Sequence, residues 1–199
     1  MPARFVLTVE ARWQQEVRKS RFLALAAPVD DSEAALAFVA RASLRDASHN
    51  TFAYRIGSHY RFSDDGEPSG TAGRPILAAI DGQGIDHAVV LVARWFGGIK
   101  LGAGGLARAY GGTATECLRL AACAPLVERV AVRVRCDFAS AGALRARLDD
   151  YGAVKRDERA LDDGVELDLE LPLAEVDALV ARVRDLTRGR GRVDTLQAA

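Results

Sequence analysis

Seven of the sixteen residues from Gly97 to Gly112 are glycine, and they frame two cations, Lys100 and Arg108. The surrounding stretch, VVLVARWFGGIKLGAGGLARAYGG, opens as an apolar β-branched run and closes as an Ala-rich helical pattern. Where a strand gives way to a helix through glycines, the free amides of the first turn and the helix dipole favour an anion. Gly102, Gly104 and Gly105 are therefore candidate backbone ligands for a phosphate, with Arg94, Lys100 and Arg108 supplying charge. The competing reading is that the glycines permit a turn and close strand–helix packing. The spacing matches neither the GxxxxGK[ST] phosphate loop nor the dinucleotide fingerprint in strict form.

A second polar loop, SDDGEPSGTAGRP, occupies residues 63–75. Its carboxylates Asp64, Asp65 and Glu67 are hard oxygen ligands of the kind that suits magnesium. The same residues equally serve sharp turns, cap a helix, or pair with Arg74 or Arg94. Ser69 and Thr71 offer hydroxyls to an anion or to the start of the next helix. His49, beside Asn50, is a candidate contact to a phosphate or base, or a solvated loop histidine. The two loops are expected to line one cleft. Trp95 and Phe96 precede the glycines; strand alternation sends one ring into the core and frees the other to stack on a base. No GxSxG, HExxH or Cys–His pattern is present, so no residue is assigned to catalysis and no cofactor is expected.

The elements that must position these loops follow from periodicity. Strands are expected over RFVLTV (4–9) and over RFLALAA, which Pro28 ends, with the basic segment Arg18–Arg21 at the junction. A helix is expected from Glu33 to Leu44 behind Asp30, Asp31 and Ser32, and a hairpin over 50–62 turning at Gly57. A short helix over Pro75–Ile80, a strand from His87 to Trp95 and a helix from Gly104 to Cys123 complete the first part. After Pro125, RVAVRVRC (129–136) alternates as a half-exposed strand. A helix over Ser140–Tyr151, strands at Val154–Ala160 and Val165–Leu171, a helix over Leu173–Leu186 and a strand over Gly191–Leu196 follow. That order, βαββαβ, is the ferredoxin-like sandwich. The chain thus reads as α+β with two domains, residues 1–125 and 126–199.

Composition narrows the partners. Lys and Arg number 27, as do Asp and Glu. By count the first 125 residues hold 14 basic and 12 acidic residues and the rest 13 and 15, so neither half is a basic module and any phosphate-binding surface must be local. No apolar run is long enough for a membrane span, and the N-terminus lacks a secretory pattern. Cys117, Cys123 and Cys136 lack metal-site spacing and fit reduced thiols. A cytoplasmic protein without membrane association is expected.

Three motifs in this order, KSRF (Lys19–Phe22), SDDGEPSGTAGRPIL (Ser63–Leu77) and RWFGGIKLGAGGLARAYG (Arg94–Gly111), resemble the IMPACT/YigZ family. The C-terminal pattern resembles the extra domain of the bacterial YigZ branch, so the resemblance spans nearly the whole chain. It implies an N-terminal βαβ fold shared with a small-subunit ribosomal protein, translocase elongation factors and GHMP-type kinases. Eukaryotic relatives regulate translation by blocking activation of an initiation-factor kinase. For the bacterial branch the resemblance implies a nucleic-acid- or ribosome-associated protein without established catalysis. The expectation is a non-catalytic protein that binds RNA, the ribosome or a translation component through a glycine-rich basic cleft. The alternatives are a nucleotide- or phosphometabolite-binding enzyme or sensor using both loops with magnesium, and an adaptor with a protein partner.

Overall fold

Ala88–Trp95 carries seven consecutive buried residues, a run that only a strand covered on both faces can bury. It is the centre of the first unit in a computed structural model that describes residues 4–196. The chain divides into two compact units between Leu126 and Val127. In chain order the first contains β1 (Phe5–Leu7), β2 (Ala11–Val17), β3 (Ser20–Pro28), α1 (Ser32–Ala42), β4 (His49–Ile56), β5 (His59–Ser63), α2 (Gly73–Gly82), β6 (Ala88–Trp95), α3 (Ala103–Arg119) and β7 (Cys123–Pro125). Five strands form one sheet in the order β2-β3-β6-β4-β5, every neighbouring pair antiparallel. β3, α1 and β4 make a split βαβ unit with β6 between the strands. One face packs Val90, Val92 and Phe22 against Ile76, Leu106 and Tyr110 of α2 and α3. The other packs Val89 and Leu91 against Ala35 and Phe38 of α1.

Several boundaries differ from the sequence reading, each for a tertiary reason. Ala11–Val17 is a strand the reading missed, although Trp13, Gln15 and Val17 alternate with the exposed Arg12, Gln14 and Glu16. Its turn into β3 uses Arg18 and Lys19 at φ 45° and 66°, a left-handed hairpin turn that carries none of the usual Asn or Gly cues. The first strand contracts to Phe5–Leu7, and α3 stops at Arg119 rather than Cys123, because Phe5–Leu7 pairs with Cys123–Pro125. Thus β1 and β7 tie together the two ends of the unit. The expected turn at Gly57 is present between β4 and β5.

The second unit contains β8 (Arg129–Asp137), α4 (Phe138–Arg145), β9 (Val154–Ala160), β10 (Gly164–Pro172), α5 (Val176–Leu186) and β11 (Arg192–Thr195). The sheet order β11-β8-β10-β9, all antiparallel, is that of a ferredoxin-like sandwich. Instead of one helix to Tyr151, the chain forms α4 and then a 3-10 turn at Asp149–Tyr151, ended by Gly152 at φ 55°. Val132, Val134, Leu167 and Leu169 bury against Leu144 and Leu179. The opposite face is a lattice of opposite charges: Arg133 meets Asp168 at 2.7 Å, Arg135 meets Glu166 at 2.6 Å, and Arg156 meets Glu170 at 2.6 Å. Those arginines are already paired, and the exposed Arg192 of β11 lies beside Arg135 on the same face.

Candidate anion-binding site

Arg94, near the end of β6, lies opposite Phe22 on β3 and His49 on β4. It is a cation at only 5% exposure, and a buried charge is stable only when paired. Its partner is Glu67 from the acidic loop, with Nη1 2.5 Å from Oε1. The same oxygen accepts a 2.7 Å hydrogen bond from the Tyr110 hydroxyl on α3. Burial and the Glu67 carboxylate both push the Tyr110 phenol up, so it stays protonated as a donor. His49 Nε2 stands 3.8 Å from that oxygen, and its Nδ1 donates to the Asp65 carbonyl at 2.7 Å. Arg94 Nη2 reaches the Ser20 hydroxyl at 3.4 Å, and the guanidinium lies 5.6 and 5.5 Å from the rings of Phe22 and Phe96. The acidic and glycine loops therefore meet through one buried network.

The acidic loop is held by its own first carboxylate. Asp64 Oδ1 accepts from the Ala72 and Gly73 amides at 3.0 and 2.9 Å, and Oδ2 accepts from Gly70 at 2.8 Å. Asp64, from nine residues upstream, does for α2 what Ser69 or Thr71 were expected to do: Ser69 is exposed, and Thr71 donates to the Pro68 carbonyl at 2.6 Å. Asp65 accepts from the Asn50 amide at 2.5 Å. The three candidate magnesium ligands thus face three separate sets of protein donors. Among the described residues no group of three or more His, Cys, Asp or Glu is arranged to hold a metal ion.

Burial raises the Asp64 carboxyl, but hydrogen bonds from Gly70, Gly73 and Ala72 and the charge of Arg74 outweigh it and hold the pKa below the ordinary 3.8. The stabilisation this gives is fully present above pH 3.8 and is lost as the pH falls through the lower folded value. The urea midpoint of wild type should therefore fall on acidification more steeply than that of Asp64→Asn. Tryptophan fluorescence reads this in the first unit, since Trp13 and Trp95 are the two tryptophans of the chain. Asp86 shifts in the same direction and is common to both proteins.

The glycine loop crosses the β2–β3 turn at Gly97, where a Cβ would stand 2.0 Å from the Lys19 carbonyl. The Gly97 amide donates to Ser20 Oγ at 3.2 Å and the Phe96 amide to Ser48 Oγ at 3.1 Å. The loop then enters α3 through Gly102 at φ 70°, a conformation that favours glycine, and no side chain caps the helix. The first-turn amides at Ala103, Gly104 and Gly105 face this uncapped end. A groove of about 420 Å³ runs between β2 and α3, lined by Gln15, Arg18, Gly105, Arg108 and Thr115 among others. The unit's ion pairs use Arg4, Arg41, Arg55, Arg94 and Arg119. Arg18, Lys19, Lys100 and Arg108, all exposed, form none among the described residues. Trp95 is the inward ring: it packs beside the α1 core, lies under the Arg21 guanidinium at 3.7 Å and donates to Asp46 at 3.0 Å. Phe96 is 51% exposed.

Lys100, Gly102, Gly104, Gly105 and Arg108 are thus gathered at one end of α3, while Arg94 and His49 converge on Glu67 behind it. Sequence reasoning offered an acidic-loop carboxylate as a partner for Arg94 but missed Tyr110 and the part of Ser20. The available signal was Tyr110 at helical spacing from the buried Leu106 and Thr113.

Residues 18–118 match the profile of the Impact N-terminal domain, and residues 134–190 match a domain of unknown function, DUF1949. An IMPACT family member encoded in the pol 5' region of Thermus thermophilus is 51% identical over 175 residues, 87% of this chain and 97% of that relative. The IMPACT family member YigZ of Escherichia coli is 37% identical over 95% of this chain and 93% of its own. A crystal structure described as that of a hypothetical protein covers all of both chains with a TM-score of 0.75 at 32% identity. The chain belongs to the IMPACT family.

Proposed function

We propose that this chain binds RNA, free or within the ribosome, through the glycine-loop end of the first unit and so acts in translation without catalysing a reaction. The observation that carries this reading is the gathering of four exposed cations without ion-pair partners, Arg18, Lys19, Lys100 and Arg108, around the uncapped start of α3. Phosphates are the ligands such a surface fits: backbone amides and the dipole at the helix start complement the side-chain charges. The exposed Phe96 ring beside them supplies a stacking face for an unpaired base. Four such cations around one helix start suit a local contact rather than a wrap.

The test is a fluorescence-anisotropy titration of labelled single-stranded RNA, with competition by purified ribosomal subunits, across a salt series. The expected result is binding that weakens linearly in log–log form as salt rises. Absence of salt-sensitive binding to both ligands overturns the reading. Phe96→Ala should weaken the single-stranded complex by about 1–3 kcal/mol with little change in salt slope.

A further inference from the structure

The sheet of the first unit ends at β2, whose outer edge pairs with no strand among the described residues. β2 is seven residues long, contains neither proline nor glycine, and pairs with β3 in unbroken register from Ala11–Ala26 to Val17–Ser20. Such an edge presents a full row of unpaired amides and carbonyls and is a template for another strand. Its exposed side chains, Arg12, Gln14 and Glu16, alternate along one face. Neither Arg12 nor Glu16 joins an ion pair within the unit.

That pattern is complementary to itself. In an antiparallel pair of β2 strands centred on Gln14, Arg12 faces the partner's Glu16 and Glu16 faces the partner's Arg12, with the two Gln14 amides meeting on the axis. The neighbouring registers that keep the same faces are disfavoured: one places Glu10 opposite the partner's Glu16, the other Arg12 opposite the partner's Arg18. Charge therefore selects one register. Helix α3 runs alongside this strand. Gln15 donates to Thr113 Oγ1 at 2.7 Å and lies 3.9 Å from where a side chain at Gly112 would begin, so the middle of α3 sits beside the middle of β2. The side of α3 lining the groove along this edge carries Gly105, Ala109 and Gly112, with Arg108, Thr115 and Glu116 beside them.

We infer that two copies of this chain associate through their β2 edges, antiparallel and centred on Gln14, joining two five-stranded sheets across a two-fold axis. The cations Arg18 and Lys19 lie beyond the ends of the paired strands, so the association goes beyond the RNA reading and does not rest on it. Pairing along a single strand edge is a small interface, so the dimer is a weak and reversible one.

Sedimentation equilibrium of the full chain without RNA tests this through a charge swap. Wild type is expected to dimerise. Arg12→Glu and Glu16→Arg should each weaken the dimer roughly tenfold or more, because two cross-strand pairs become like-charged. The double variant R12E/E16R should restore it, because the swapped charges again face opposite signs. Both residues of the test lie at exposed positions, so fluorescence-detected unfolding should be unchanged. A wild type that stays monomeric at about 500 µM overturns the inference. So do single variants that dimerise as wild type does, or a double variant no tighter than the singles.

Discussion

Glu67→Ala should cost the first unit about 3–5 kcal/mol, the usual consequence of removing one partner from a buried ion pair. The Arg94 guanidinium would be left at 5% exposure without its counter-charge. Its Nε already lacks a hydrogen-bond partner, and its remaining acceptor is the neutral Ser20 hydroxyl at 3.4 Å. The Tyr110 hydroxyl, buried with the rest of its ring, would lose its acceptor too, which accounts for about 1–3 kcal/mol of that total. Urea denaturation followed by tryptophan fluorescence measures the loss in the unit that contains both indoles. Glu67→Gln should fall between wild type and Glu67→Ala, since it keeps an acceptor for Tyr110 and the volume but not the charge. The double variant E67A/R94M should regain part of the loss, because the uncompensated cation has gone with its partner. A loss below about 1 kcal/mol for Glu67→Ala would mean that the pair contributes nothing beyond its neighbours' packing.

Gly97→Ala should be nearly as damaging and for a steric reason. The added methyl would stand 2.0 Å from both the carbonyl carbon and oxygen of Lys19 and 2.5 Å from the Ser20 amide nitrogen, all backbone atoms in the β2–β3 hairpin. No side-chain rotation relieves that contact, so the loop must lift away from the turn and surrender its hydrogen bond to Ser20. A destabilisation of about 3 kcal/mol is expected, together with loss of RNA binding, because Lys19 and Lys100 are held near one another by this crossing. Gly82→Ala is the control: it adds a methyl to α2 in open space and should be neutral or slightly stabilising. Paired urea and RNA titrations of the two variants separate a general glycine effect from the crossing.

The fold was legible where a residue's neighbours in sequence are also its neighbours in space. The alternation of Arg129–Cys136 and the apolar run before Trp95 placed β8 and β6, and the Gly57 turn placed the β4–β5 hairpin. It failed where a distant segment decides. Phe5–Leu7 ends α3 by pairing with Cys123–Pro125, and no periodicity within α3 announces that. Asp64 starts α2 from outside the helix, and local spacing does not separate it from Ser69, Thr71 and the other loop carboxylates as the cap. The same distinction governs the site. The glycines and the nearby Lys100 and Arg108 were legible because a strand–loop–helix is one local unit. Arg94 and Glu67, 27 residues apart in the chain, were open to two readings, as ligands or as an ion pair, and only the fold decides for the pair.

That division of labour, with buried Arg94 as scaffold and exposed cations as ligands, is tested most directly by the salt slope of RNA binding in K100A/R108A. Wild type and variant should unfold at the same urea concentration, because neither side chain makes an ion pair and both are exposed. The log–log slope of affinity against salt should flatten by about 1.4 for a single strand, the amount two lost phosphate contacts remove. An unchanged slope with unchanged stability would contradict the account and place the phosphate contacts elsewhere on the chain.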